Sequence, residues 1–331
     1  MIFGAANLFS GPAGSAALRG WRAAVGVAVA VTVGCSGDEV GPTERLPAVA
    51  TTTIVADLVR EIGGPDVSVV SLMGPGIDPH LFKPSEGDIA RMSRAAIVFY
   101  SGLHLEGKMT EVFERMRQLG RPTVPLAECV PVDKRLTAAG FSGVYDPHVW
   151  FDVGLWKHAA SCVSEALSEH DPRHADAYRE RGRRYLERLD ALEAAVRRRI
   201  EQVPAQRRVL VTAHDAFAYF GRAYGIEVRG LLGVSTAAEA GAADVQELAD
   251  FITERRIPAM FVESSVPERY VQALREAVES RGWQVSIGGT LFSDALGDPQ
   301  TPAGSYIGTV RHNVETIVAA LSEPSGAGHE R

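Results

Sequence analysis

Three histidines and one aspartate carry the chemistry this sequence offers. His80 closes an Asp-Pro-His triplet in the loop GPGIDPHLFKPSEGD. His148 closes a second such triplet in YDPHVWFD. His214 stands in VTAHDAF, and Asp294 in TLFSDALG. Imidazole nitrogen together with carboxylate oxygen suits Zn²⁺, and also Mn²⁺ or Fe²⁺. A lone histidine after a proline carries little information. The weight comes from the repeated triplet, and from the division of the four residues, two and two, around one long helical pattern. Proline before histidine restricts the backbone and helps hold the ring in place. Taken alone, Asp294 reads equally well as a turn or helix cap, which is the reading for Asp215 and Asp152.

The long pattern covers residues 171–203. Ala175, Tyr178, Gly182, Tyr185, Leu189, Leu192, Val196, Ile200 and Val203 recur at steps of three and four, the stripe of an amphipathic helix. Asp171 supplies an N-cap, Pro172 a preset first turn and Pro204 the stop. At 1.5 Å per residue such a helix is about 50 Å long, enough to join two lobes. Its arginines alternate with Glu180, Glu187, Asp190 and Glu193, which marks a solvated face of paired charges. Gly182, on the inward stripe, is where the helix is expected to be weakest, by about 1 kcal/mol relative to alanine.

Strands alternate with helices on both sides of this spine. AVATTTIV, VSVVSLM, AIVFYSG and TVPLAE precede it, and RVLVTAHD, IEVRGLL, PAMFVESS and WQVSIGG follow it. That alternation predicts an α/β fold of two lobes, each with a parallel sheet and flanking helices, joined by a single long rigid helix. All four candidate residues then fall in loops beyond the carboxyl ends of strands, where ligands bind in open α/β sheets. Residues 129–145 have no strong period and read as loop.

The chain has 331 residues, too many for one ordinary core and enough for two. A net charge of −7 argues against nucleic acid as a partner. At the N-terminus, Arg19 and Arg22 precede an apolar run ending in Val33-Gly34-Cys35, too short for a confident membrane span. The run resembles a bacterial lipoprotein signal, which would anchor the mature protein by lipid at Cys35 in the periplasm or cell envelope. The expected organisation is a signal over 1–35, a tether over 36–46, an N-terminal metal-binding lobe over 47–170, a linking helix over 171–203, a C-terminal metal-binding lobe over 204–322 and a tail over 323–331. Cys129 and Cys162 could pair in an oxidising compartment, but the favoured reading is two separate small apolar side chains.

The segments DPHLFKPSEGDIARMSRAAIVFYSGLHLE, DPHVWFD, VTAHDAFAYFGRAYGI and GGTLFSDALGDPQTPAGSYIGTVRHN resemble the TroA-like substrate-binding proteins of zinc and manganese ABC importers, in the family's order, over about residues 47–322. The resemblance implies metal ligation by His80, His148, His214 and Asp294, between two α/β lobes joined by one helix. It also implies delivery of the ion to a membrane permease driven by an ATPase, and the protein is expected to be a monomer. Many manganese binders of that family place a glutamate where this chain has His214. The histidine-rich loop of dedicated zinc importers is absent, since residues 120–147 contain no histidine. Three nitrogens and one carboxylate favour Zn²⁺ over Mn²⁺, because harder ions prefer more oxygen.

Competing classes are a zinc-dependent hydrolase, a surface adhesin on the same fold, and a binder of haem or a metal chelate. No HExxH and no Ser/His/Asp or Cys/His arrangement is present, and Asp294 would close the fourth position that a catalytic zinc keeps open. The chain is therefore read as a binding protein and not an enzyme. Glu263, at the end of PAMFVESS, has two readings: an acceptor that fixes a histidine tautomer, or a turn stabiliser. His104, His158, His174 and His312 are read as structural or solvent-facing. Metal affinity is expected to fall as pH drops below about 6.5, the ordinary histidine value.

Overall fold

A computed structural model describes residues 45–138 and 143–322. The expected signal and lipidation at Cys35, most of the expected tether and the expected tail lie outside the described residues. The first lobe is built on a four-stranded parallel sheet in the order β2-β1-β3-β4. Its strands are β1 (Leu46–Ala50), β2 (Val67–Ser71), β3 (Ile97–Tyr100) and β4 (Thr123–Pro125). Between them run α1 (Thr53–Gly63), α2 (Glu86–Arg94) and α3 (Thr110–Gln118). Ser85 starts α2 with a reciprocal capping box to Asp88. The stretch read as a strand over 123–128 passes into a 3-10 turn, Leu126–Cys129, after only three residues.

The helix α4 (Val153–His170) follows, capped by the Asp152 side chain, which accepts from the Leu155 N–H. The spine comes next. Its regular part, α5 (Ala175–Ile200), has 26 residues, hence about 40 Å. It starts later than its period suggests. Asp171 and Pro172 open a 3-10 turn, and the Asp171 carboxylate instead lies 2.6 Å from His174 Nδ1 and accepts from the Tyr178 hydroxyl at 2.9 Å. The inward stripe is buried as its spacing requires: Tyr178, Tyr185, Leu189, Leu192, Val196 and Ile200 pack toward α1, α4 and the last helix. Arg181 donates to the Ile62 and Gly63 carbonyls at the end of α1 and pairs with Asp66 at 2.8 Å, fixing the spine to the first lobe. On its outer face Arg183 pairs with Glu180 and Glu187.

Beyond the spine lie β5 (Val209–His214), α6 (Ala218–Tyr224), β6 (Glu227–Leu232) and α7 (Ala242–Arg255). They are followed by β7 (Ala259–Glu263), α8 (Arg269–Glu279), β8 (Ser286–Leu291) and α9 (Tyr306–Ser322). The strands form two parallel ladders, β5-β6 and β7-β8, rather than one unbroken sheet, with β5 lying beside β7.

Two expectations are corrected. Cys129 and Cys162 are not separate apolar side chains but a disulfide joining the 126–129 turn to α4. Their Cα atoms stand 6.3 Å apart, within bridging range, and such a bond belongs in an oxidising compartment. Asp215 is not a helix cap: Phe217 occupies the N-cap of α6, with no side-chain bond.

Candidate metal centre

His80 lies in the loop after β2, and His148 in the segment that leads into a 3-10 turn, Val149–Phe151, ahead of α4. His214 is the last residue of β5 rather than a loop residue, and Asp294 follows β8 by three positions. His80, His214 and Asp294 sit at or beyond the carboxyl ends of strands, whereas His148 leads into α4 with no strand directly before it. The fold brings all four together: one ligand atom from each lies within 4.8 Å of the others. His148 and His214 are fully buried, Asp294 is 1% exposed and His80 4%.

The separations carry chemical information. His80 Nε2 and His148 Nε2 are 3.4 Å apart, His214 Nε2 and Asp294 Oδ2 3.4 Å, and His148 Nε2 and Asp294 Oδ1 3.5 Å. Ligands about 2.0–2.1 Å from a tetrahedral Zn²⁺ stand about 3.3–3.4 Å from one another. His214 Nε2 and Asp294 Oδ1 are buried without a hydrogen-bond partner, an arrangement that is costly unless something else uses those atoms.

The remaining ring nitrogens are held by carboxylates. His148 Nδ1 lies 2.7 Å from Asp146 Oδ1, which also accepts the His148 backbone N–H at 2.9 Å. Glu263, at the end of β7, lies 2.5 Å from His214 Nδ1 through one oxygen and accepts the His214 backbone N–H through the other at 2.8 Å. Of its two sequence readings, the structure supports the tautomer-fixing one. Glu263 also links β7 to β5 across the seam between the two ladders. The Ser265 hydroxyl donates to Asp294 Oδ2 at 3.2 Å. Trp150 Nε1 donates to the Ser293 carbonyl at 3.1 Å, tying the His148 segment to the Asp294 loop.

These contacts split the three imidazoles electrostatically. Burial alone would hold all three neutral. For His80 it prevails and lowers the pKa to about 3. For His148 the buried Asp146 and Asp294 carboxylates outweigh it and raise the value to about 9. For His214, Glu263 and Asp294 do the same and hold the ring well above its ordinary range. Burial pushes the Asp294 carboxyl up, but His214 and His148 outweigh it and keep it ionised, well below the usual range. Asp146, Glu263 and Asp294 thus favour the protonated form of His148 and His214, so an ion that ligates these rings must displace their protons.

Among the described residues no other histidine joins the cluster. His104 is exposed at φ 66°. His158 is half-buried on α4 and His174 is engaged with Asp171. His312 sits within α9 rather than at its start, 3.1 Å from the Thr290 carbonyl. The roles of Asp146 and Ser265 were missed from sequence, although Asp146 is the first residue of its triplet and an aspartate two positions before a histidine is the usual source of such a turn.

Residues 48–320 match the model of the family described as the periplasmic component A of the zinc-uptake complex, ZnuA. The chain belongs to this family. It is 51% identical to the zinc-binding protein TroA of Treponema pallidum (strain Nichols) over 277 residues, 83% of this chain and 89% of that one. It is 46% identical to the manganese-binding lipoprotein MntA of Bacillus subtilis (strain 168) over 305 residues, 92% and 99% of the two chains. The solved periplasmic zinc-binding protein TroA from Treponema pallidum superposes with a TM-score of 0.82 at 50% identity, covering 85% of this chain and all of the other. The protein is thus a TroA-like substrate-binding component of a metal ABC importer, with the family's two α/β lobes joined by a long helix. This is a family of extracytoplasmic binding proteins, not of enzymes, and its members serve a membrane permease and its ATPase.

Proposed function

We propose that this protein captures one Zn²⁺ between its lobes through His80, His148, His214 and Asp294 and delivers it to the permease. The observation that carries the reading is the gathering of four ligand atoms within 4.8 Å of one another, with His148 and His214 Nε2 at 3.5 and 3.4 Å from the Asp294 carboxylate, His80 Nε2 at 3.4 Å from His148 Nε2, and His214 Nε2 and Asp294 Oδ1 without a hydrogen-bond partner. Residues 47–170 and 204–322 act as the two half-sites, and 171–203 as the link that holds them in register. The donor set of three nitrogens and one carboxylate favours zinc. Mn²⁺ is the second reading, because a relative 46% identical over nearly the whole chain is described as manganese-binding. The four side chains close the coordination sphere, so no position is left for the activated water of a hydrolase. In the same reading the mature protein is a monomer, anchored by lipid at Cys35 on the outer face of the membrane.

The test is metal analysis of protein taken from its own envelope, followed by competitive titration with Zn²⁺ and Mn²⁺. One ion per chain, lost or strongly weakened in His80→Ala, His148→Ala and His214→Ala, supports the site. Two of the three variants binding like the wild type would mean that the site lies elsewhere.

A further inference from the structure

The two Asp-Pro-His triplets share a sequence but are wired differently. In both, the aspartate accepts the backbone N–H of the histidine two residues on, at 2.8 Å for Asp78–His80 and 2.9 Å for Asp146–His148. Asp146 spends the same oxygen on its own histidine ring. Asp78 turns its second oxygen the other way and accepts the hydroxyl of Thr236 at 2.6 Å. Thr236 belongs to the connection between β6 and α7 of the second lobe. Among the described residues no carboxylate holds the Nδ1 of His80, so its carboxylate partner reaches it through the backbone N–H only.

The His80 loop is also the outer wall of the centre. His80 is the most exposed of the four at 4%, and Ile77 and Leu81 on either side of it are 42% and 50% exposed. A Cβ on Gly76, whose φ is +71°, would stand 3.4 Å from the Ser264 carbonyl, so the loop also lies close against the turn after β7. The first lobe's loop is therefore flanked by two segments of the second lobe, and among the described residues its one side-chain hydrogen bond to them is Asp78–Thr236.

We propose that Thr236 is a positioning residue for metal retention. Its hydroxyl latches Asp78, which holds the His80 turn closed over the ion, and breaking this contact is the step that frees the outer ligand loop for release. The inference rests on the metal-site reading above and extends it from which groups bind to which contact sets the release rate.

The experiment is the rate at which a chromophoric chelator captures Zn²⁺ from the loaded protein, compared among wild type, Thr236→Val, Thr236→Ser and His80→Ala. The bond joins a hydroxyl to a carboxylate, and losing one to a charged group corresponds to a change of about tenfold or more. Thr236→Val is expected to bind one ion per chain and release it about tenfold faster, while Thr236→Ser, which keeps the hydroxyl, releases at the wild-type rate. Unfolding of the metal-free forms should be the same for both variants, which separates latching from folding. Release from Thr236→Val at the wild-type rate overturns the latch, and so does equal acceleration in both variants. A wild-type stoichiometry other than one overturns the metal-site reading itself, and the latch with it, whereas wild-type binding by His80→Ala removes His80 from the site and overturns the latch alone.

Discussion

Each imidazole of the centre meets a different set of carboxylates, and this sets the terms on which a metal enters. Metal ligation requires neutral rings. His80, held at about 3, is neutral throughout the working range. His148, raised to about 9, and His214, higher than usual, are protonated at pH 7. Groups with raised values stay charged until pH climbs past those values, so protons compete with the ion from about pH 9 downward, not only below 6.5 as unperturbed histidines would give. Affinity should therefore fall steadily across the neutral range as pH drops. Calorimetry at pH 7 in buffers of different ionisation enthalpy should register release of roughly two protons per ion. Binding with no buffer dependence would mean that the rings are already neutral and that Asp146 and Glu263 do not charge them.

At the scale of elements, the spine shows where a sequence pattern is informative and where it is not. Its inward stripe was legible because a 3.6-residue period is a property of the chain alone. Its start was not, because whether Asp171 caps α5 or serves His174 and Tyr178 depends on how the preceding helix packs. Gly182 makes the same point. Helix propensity says that alanine there would strengthen α5, by about 1 kcal/mol. In the packed molecule a Cβ at Gly182 would stand 2.9 Å from Ser164 Oγ and 3.1 Å from Ser164 Cβ on the adjacent α4. Overpacking of this kind costs about 1–3 kcal/mol. Gly182→Ala should accordingly lower the denaturation midpoint, and a raised midpoint would show that α4 gives way easily. The disulfide was equally hidden, since two cysteines 33 residues apart say nothing about the approach of a turn to a helix. It closes the loop that carries His148. By loop-closure entropy its reduction should cost about 3–4 kcal/mol, measured as the shift in denaturant midpoint with and without reductant. An unchanged midpoint would mean that the bond constrains little in the unfolded chain. The four residues that the fold clusters had, by contrast, already been singled out as candidates, because they sit in short motifs whose order and spacing survive without knowledge of the packing. The contacts of Ser265 with Asp294 and of Thr236 with Asp78 were not legible, because they exist only once separate loops have been brought together.

For the whole molecule, the two halves are joined by more than the ion. One buried core runs from α1 through α4 and α5 to α9. Leu296 donates its N–H to Thr53, and Tyr306 donates its N–H to Asp57 and its hydroxyl to the Trp150 carbonyl, each bond crossing from one lobe to the other. A continuous helix with such ties resists the wide hinge closure of binders joined by flexible strands. Metal loading should then move the ligand loops while leaving the lobes nearly fixed, and small-angle scattering should give almost the same radius of gyration with and without zinc. A large change would show that the spine bends.

In the proposed function one ion bridges the two lobes at these four side chains. Anomalous diffraction at the zinc edge from crystals grown with one equivalent of Zn²⁺ tests it most directly. A single peak is expected about 2.0–2.2 Å from the Nε2 atoms of His80, His148 and His214 and from the carboxylate of Asp294. A principal peak elsewhere, or one that lacks the ligands of either lobe, would contradict it.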